Sequence, residues 1–187
     1  MSALLALILA SQTVITDCDR LAAHPSDPDR VAPGVAEGKV DLPAAIAACE
    51  AAVKADPANG RLNYQLARSM GYAGRGKEAA PYREAAVNAD YPQALFVVGY
   101  VHLLGLNDAP KDACKAGELI YRSALKGRHA GLVGFPHWSV QGAFKGCPVK
   151  QDKAEMRGFV EQAKVLSKGD FYQTLLIESL EARLTAD

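Results

Sequence analysis

The chain has 187 residues, with 21 lysines and arginines against 21 aspartates and glutamates, so no long-range field draws it to nucleic acid or to an anionic membrane. Its length suits one domain with a core and not two of ordinary size. Apolar residues make up 49% of the sequence but aromatics only 7%, and this dominance of alanine and leucine favours closely packed helices over a sheet.

From the start, MSALLALILASQ places an apolar run at Ala3 to Ala10 ahead of small and polar residues. It resembles the core of a secretory signal peptide, with residues 1–16 as the leader and Ala10 as a cleavage residue. No lysine or arginine precedes the run, however, and the run is short, so an apolar helix turn packed on the fold is the competing reading. No stretch reaches the roughly 20 apolar residues of a spanning helix, and no membrane span is expected. Asp17 stands where a lipid-attached Cys18 would need a small residue, which disfavours lipidation. Residues 17–40, with Pro25, Pro28, Pro33, Gly34 and Gly38, read as an irregular lead-in tied down at Cys18.

A helical repeat domain is expected over 41–187. Asp41, two residues before Pro43, opens the helix LPAAIAACEAAVKA, and DPANG ends it. RLNYQLARSMGYAG follows, with Leu62, Leu66, Ala67 and Met70 on one side and a break at Gly74 and Gly76. KEAAPYREAAVNA comes next, with Ala79, Tyr82, Ala86 and Val87 facing inward. The octapeptide EAAVKADP at 50–57 returns as EAAVNADY at 84–91, identical at six of eight positions and displaced by 34 residues. The same offset joins Ala45 to Ala79, Val53 to Val87 and Asp56 to Asp90. The repeated unit is therefore a pair of helices, whose small residues permit close approach.

The cysteines follow a related rhythm. Cys18 and Cys49 are 31 residues apart, Cys114 and Cys147 are 33 apart, and units stacked in register would set each pair side by side. Two disulfides and an export-like start point to an oxidising compartment; four buried thiols in a cytoplasmic protein are the alternative. Zinc binding needs close pairs such as C-x-x-C, which this sequence lacks, so no metal is expected.

The run 60–91 resembles a tetratricopeptide repeat, with Leu66-Ala67, Gly74 at the turn, Ala79 and Ala86 at small packing positions, and Asp90 near the end. The next unit, 92–129, resembles a Sel-1-like repeat, the relative with a longer inter-helix loop: it has Ala94, Gly99, Tyr100, Gly105, Lys115-Ala116, Tyr121 and Ala124, and the spacing from Ala86 to Ala124 grows to 38. A third copy, 130–166, keeps Gly146, Lys153-Ala154 and Ala163, while GLVGFPHW and Pro136 depart from the pattern. DFYQTLLIESLEARL then supplies a capping helix over about 171–185, with Asp170 as its cap and Leu176, Leu180 and Leu184 on one face. The resemblance implies an all-α solenoid of antiparallel helix pairs. It also implies a concave groove lined by the first helix of each pair, where Arg61, Tyr64, Arg68, Tyr72 and Tyr100, with Phe96, would contact a partner. Tyrosine and arginine suit such a surface because they bury large area while keeping a polar contact.

Little in the sequence argues for catalysis. His24 lies in the lead-in, His102 in mid-helix, and His129 and His137 flank a glycine-rich connector; His137 beside Ser139 is no nucleophile and base without spatial geometry to match. GYAGRGK at 71–77 follows a helix and not a strand, so its glycines read as helix stops. Lys145, Lys150, Lys153 and Arg157 are balanced by Asp152 and Glu155, a capping arrangement at a helix start. The expectation is a non-catalytic adaptor of the periplasm or secreted space that binds a protein or peptide, with no cofactor. A cytoplasmic home is the runner-up. Two other readings stay open: a weak β-lactam-binding or β-lactam-hydrolysing protein, as some cysteine-rich members of the family are described, and an accessory domain of a larger system.

Overall fold

The computed structural model describes residues 14–185, so most of the leader read from the sequence, with Ala10, lies outside the described residues. Those residues form nine α-helices and no strand: α1 (Asp17–Ala22), α2 (Leu42–Ala55), α3 (Gly60–Tyr72), α4 (Gly76–Asn88), α5 (Pro92–Leu104), α6 (Ala113–Leu125), α7 (His129–Val140), α8 (Lys153–Leu166) and α9 (Phe171–Thr185). Each helix packs against the next, and α1 with α3, α3 with α5 and α7 with α9 also touch. Helix pairs thus follow one another along the chain. One side of the molecule is built from α3, α5, α7 and α9.

Local chemistry sets the helix ends. The Asp41, Asn59, Asp112 and Asp152 side chains each accept a backbone N–H in the first turn of the helix they precede, which satisfies donors that a helix start leaves orphaned. Asp170 does the same for α9 through Gln173 N at 3.0 Å. Gly74, at φ 72°, stops α3 in the left-handed region where a side chain is strained. The connection within a helix pair grows from residues 73–75 to residues 105–112, and the added loop turns at Asn107 and Asp108, both at positive φ. It folds back on α4: a Cβ on Gly76 would meet the Asn107 carbonyl oxygen at 2.3 Å.

Three expectations need correction. The lead-in is not irregular throughout, because Thr16 and Asp19 form a reciprocal capping box that starts α1. Pro136 does not interrupt α7, which runs through it and is anchored by the fully buried Leu132 and Phe135. The glycines before it serve packing: a Cβ on Gly131 would lie 2.6 Å from Ala124 N on α6. On α9, Leu176 is 67% exposed, and the buried face is Ile177, Leu180 and Leu184.

Two cores result. One joins α1 to α4 through Cys18, Ile46, Cys49, Leu62, Leu66, Met70 and Ala79. The other joins α5 to α9 around Phe135, Phe144, Phe159, Ile120 and Leu180. Disulfides bond Cys18 to Cys49, with Cα atoms 4.5 Å apart, and Cys114 to Cys147, at 5.1 Å. The first fastens the lead-in to α2. The second fastens the start of α6 to the connection between α7 and α8.

Candidate interaction surface

Helix α3 is buried on every side from Arg61 to Met70, although five of those ten residues are Arg61, Asn63, Gln65, Arg68 and Ser69. Such a polar helix can be buried only if each polar group finds a partner. Here the lead-in supplies many of them. Arg61 Nε donates to Asp19 Oδ1 at 2.7 Å and Arg61 Nη2 to Asp19 Oδ2 at 3.3 Å, while Gln65 donates to Asp19 Oδ1 at 3.1 Å. Arg68 Nη1 donates to the carbonyls of Ala22 at 2.8 Å and Ala23 at 3.3 Å, and its Nη2 to that of Val35 at 2.7 Å. Further along, the Tyr91 hydroxyl donates to Asp27 Oδ2 at 2.6 Å. This part of the face is covered by the chain itself.

The electrostatics follow from that cover. Burial pushes the Asp19 carboxyl up, but the bonds from Arg61, Thr16 and Gln65 outweigh it and hold its pKa below the usual value. Asp27 goes the other way, because burial raises it more than the Tyr91 bond lowers it. Burial, with Arg68 and Arg128 nearby, pushes His24 down to about 4.

Of the residues expected to contact a partner, Arg61, Tyr64 and Arg68 are therefore buried against the lead-in or between helices, with exposures of 9%, 3% and 8%. That corrects the expectation of an open groove at α3. Tyr72 is half-buried, with its hydroxyl accepting from Arg68 Nε at 3.1 Å and its ring 4.9 Å from the guanidinium. Tyr100, at 38%, is the one that reaches solvent.

A polar relay runs from this covered region to the open one. Gln93 donates to the Tyr64 hydroxyl at 3.1 Å and accepts from Arg128 Nε at 2.6 Å, linking α3, α5 and the start of α7. The Arg128 guanidinium then lies 4.7 Å from the Phe96 ring. Phe96 stacks on Tyr100 and on Trp138, both at 6.3 Å between ring centroids, and Tyr100 and Trp138 are 5.8 Å apart. Gly134 is required for this cluster, since a Cβ there would meet the Trp138 ring at 2.7 Å. Beside the rings lies a cleft of about 470 Å³ between α7 and α9, floored by Val133, Ile177 and Leu180 and edged by Leu176 and Arg183. No carboxylate lines it. Sequence reasoning missed Trp138, Gln93 and Arg128; the single tryptophan was the only signal that could have drawn attention to this corner.

The histidines near the cleft do not form a hydrolytic pair. His129 Nε2 and Ser167 Oγ are 2.6 Å apart, but Ser167 donates to Gln173 Oε1 at 3.2 Å, so the imidazole is the donor to Ser167 and not its base. Ser167 is itself 2% exposed. Gln141 donates to His137 Nε2 at 2.7 Å, while Ser139 Oγ, buried, has no partner among the described residues. No group of three His, Cys, Asp or Glu among the described residues is placed to share a metal ion, and no described helix is long and apolar enough to cross a membrane. Compared with known proteins, the chain matches no family model, no curated protein and no solved structure.

Proposed function

We propose that the chain is a helical-repeat interaction module of the Sel-1-like kind, a solenoid that works in the periplasm or secreted space and catalyses nothing itself. The observation that carries this reading is the contrast along the face built by α3, α5, α7 and α9. Its first part already holds the lead-in, at the end of α1 and the turns after it, through side-chain bonds to backbone carbonyls, a mode also open to a bound peptide. Its second part presents three clustered aromatic rings beside an apolar cleft. Aromatic residues at the centre of a patch are the groups that anchor protein interfaces. The partner is a protein segment that places an apolar side chain in the cleft and an acidic group near Arg183, because Arg183 edges a cleft without carboxylates. Two disulfides support an oxidising compartment.

The test is affinity capture from cell-envelope extract with the wild-type chain and with a Tyr100→Ala, Trp138→Ala double variant. A protein retained by the wild type and lost by the variant is the expected result. Equal retention by both would remove the aromatic patch from the reading, and retention of nothing above background would remove the adaptor. Turnover of a chromogenic β-lactam above the uncatalysed rate would move the assignment to the enzyme class.

A further inference from the structure

A second cavity, of about 90 Å³, lies between the lead-in, α3, α4, α5 and the loop carrying Asn107, with room for several water-sized groups. Its polar lining is rich in donors that lack acceptors. His24 Nδ1 accepts from Ser26 N at 3.0 Å, so its proton sits on Nε2, which has no acceptor among the described residues. The Tyr64 and Tyr72 hydroxyls each accept one bond, from Gln93 and Arg68, and donate none among the described residues. Arg83 gives Nη2 to the carbonyls of Gly76 at 2.9 Å and Asn107 at 3.3 Å, while its Nη1 is buried without a partner among the described residues. A buried donor without an acceptor is costly, and Arg83 Nη1 is the fully buried one at this cavity among the described residues; an acceptor placed in the cavity would satisfy it and could also take the spare protons of His24 and the two tyrosines.

Charge points the same way. The chain is neutral overall, but its buried charged residues are four arginines, Arg61, Arg68, Arg83 and Arg128, against two aspartates, Asp19 and Asp27. Only Arg61 has a carboxylate within ion-pair distance among the described residues. Arg68 and Arg83, each 8% exposed, line this one cavity and no carboxylate lines it with them, although Asp108 and Glu84 act on Arg83 from beyond ion-pair distance. Depression of His24 by Arg68 and Arg128, beyond the effect of burial, reports the positive potential there. Buried guanidinium groups are ordinarily paired, and the guanidinium fork matches oxyanion geometry.

We propose that this cavity is a binding site for a small oxyanion, a carboxylate or phosphate group, held by Arg83 Nη1, with Arg68 contributing its charge from the lead-in carbonyls that it already bonds and the Tyr64 and Tyr72 hydroxyls as further donors. The site is distinct from the aromatic patch and stands or falls independently of the adaptor reading. Because His24 and the Arg68-bound carbonyls belong to the lead-in, a bound anion would also lock the lead-in onto α3.

The experiment is calorimetric titration of the full chain with sodium acetate and, separately, inorganic phosphate, both at constant ionic strength balanced with sodium chloride. Saturable binding of at least one probe is expected, weakened tenfold or more by Arg83→Gln and unchanged by Arg75→Gln on the exposed surface. Binding of acetate alone would assign the site to carboxylates, and of phosphate alone to tetrahedral anions; either supports it. No saturable binding of either probe, or equal binding by Arg83→Gln, overturns it. If Arg83→Gln does not fold, Tyr72→Phe removes one donor at a half-buried position, and affinity unchanged in that variant also overturns the proposal.

Discussion

The two ends of one face behave differently. Around α3 it is polar, sealed and held by the lead-in; around α5, α7 and α9 it is aromatic and open. Both regions carry residue types that serve at interfaces. What separates them is the backbone of residues 14–35, whose carbonyls and Asp19 consume the arginines that would otherwise face solvent. Polarity on a helix face therefore marks a surface with a partner, and the partner can lie in the same chain.

The sharpest way to break the contrast is to remove Asp19. It is fully buried and receives Arg61, Gln65 and Thr16 together, so Asp19→Ala leaves the Arg61 charge uncompensated. A loss of about 3–5 kcal/mol is expected by chemical denaturation, the range for one partner removed from a buried ion pair. The covered part of the face should then become accessible, read as faster amide exchange in α3. A loss below about 1 kcal/mol would mean that the lead-in is not held as described.

The disulfides give a matched comparison. They close loops of nearly equal length, 31 and 33 residues, so the chain-entropy effect of removing either is about the same, roughly 3–4 kcal/mol. Their native-state consequences differ. Loss of Cys18–Cys49 frees the lead-in from α2, whereas loss of Cys114–Cys147 frees the connection before α8. Cys18→Ala with Cys49→Ala should therefore raise exchange in α3 at low denaturant, and the other pair should not. Equal exchange patterns in the two double variants would contradict this division.

Acid acts on the same junction. His24 is held down to about 4 in the fold, against about 6.5 in the unfolded chain, so between these values the unfolded state binds the extra proton. The stability it contributes is full above pH 6.5 and falls as pH drops towards 4, by about 1–3 kcal/mol. Asp19, shifted down, adds to the loss in the carboxylate range. Asp27, shifted up, favours the protonated fold and softens the loss there. His24→Gln should flatten the upper part of the profile, and an unchanged slope between pH 6.5 and 5 would rule His24 out as its source.

How much of this was legible beforehand depended on whether the signal was local. Helix α2 is bounded by Asp41 and the DPANG turn, and α8 by Asp152, because caps and breakers act within a few residues. At Asp152 only half of the expected box forms, since Glu155 turns to accept from the Tyr121 hydroxyl at 3.1 Å. The occupation of the face at α3 could not be read, because Arg68 meets the Ala22 carbonyl across 46 residues and a carbonyl leaves no mark in a sequence. Leu176 was misplaced for a different reason: α9 is apolar on two sides, with Phe171, Tyr172 and Leu175 also exposed, so its pattern does not choose a face.

The repeated octapeptide offers the finest comparison, between Asp56 and Asp90. In the first copy Asp56 accepts from Asn59 within its own turn, at 2.9 Å. In the second, Asp90 reaches α6, accepting from Arg122 at 3.1 Å and pairing with Lys126. The same residue thus ends one helix in the first unit and ties two units together in the second. Burial nudges the Asp90 carboxyl up, and the two cations bring it below its usual value. Its side chain is 40% exposed, so screening limits the gain to about 0.2–1 kcal/mol. Backbone must be kept apart from charge, because Asp90 sits at φ 55°, where asparagine is tolerated and alanine is not. Asp90→Asn therefore isolates the charge, and its destabilisation should shrink as sodium chloride rises from 0.05 to 1 M, over which the screening length falls to about 3 Å. Asp56→Asn should show no such salt dependence, since its partner is neutral. A salt response of equal size at both positions would show that the two copies of the motif never diverged.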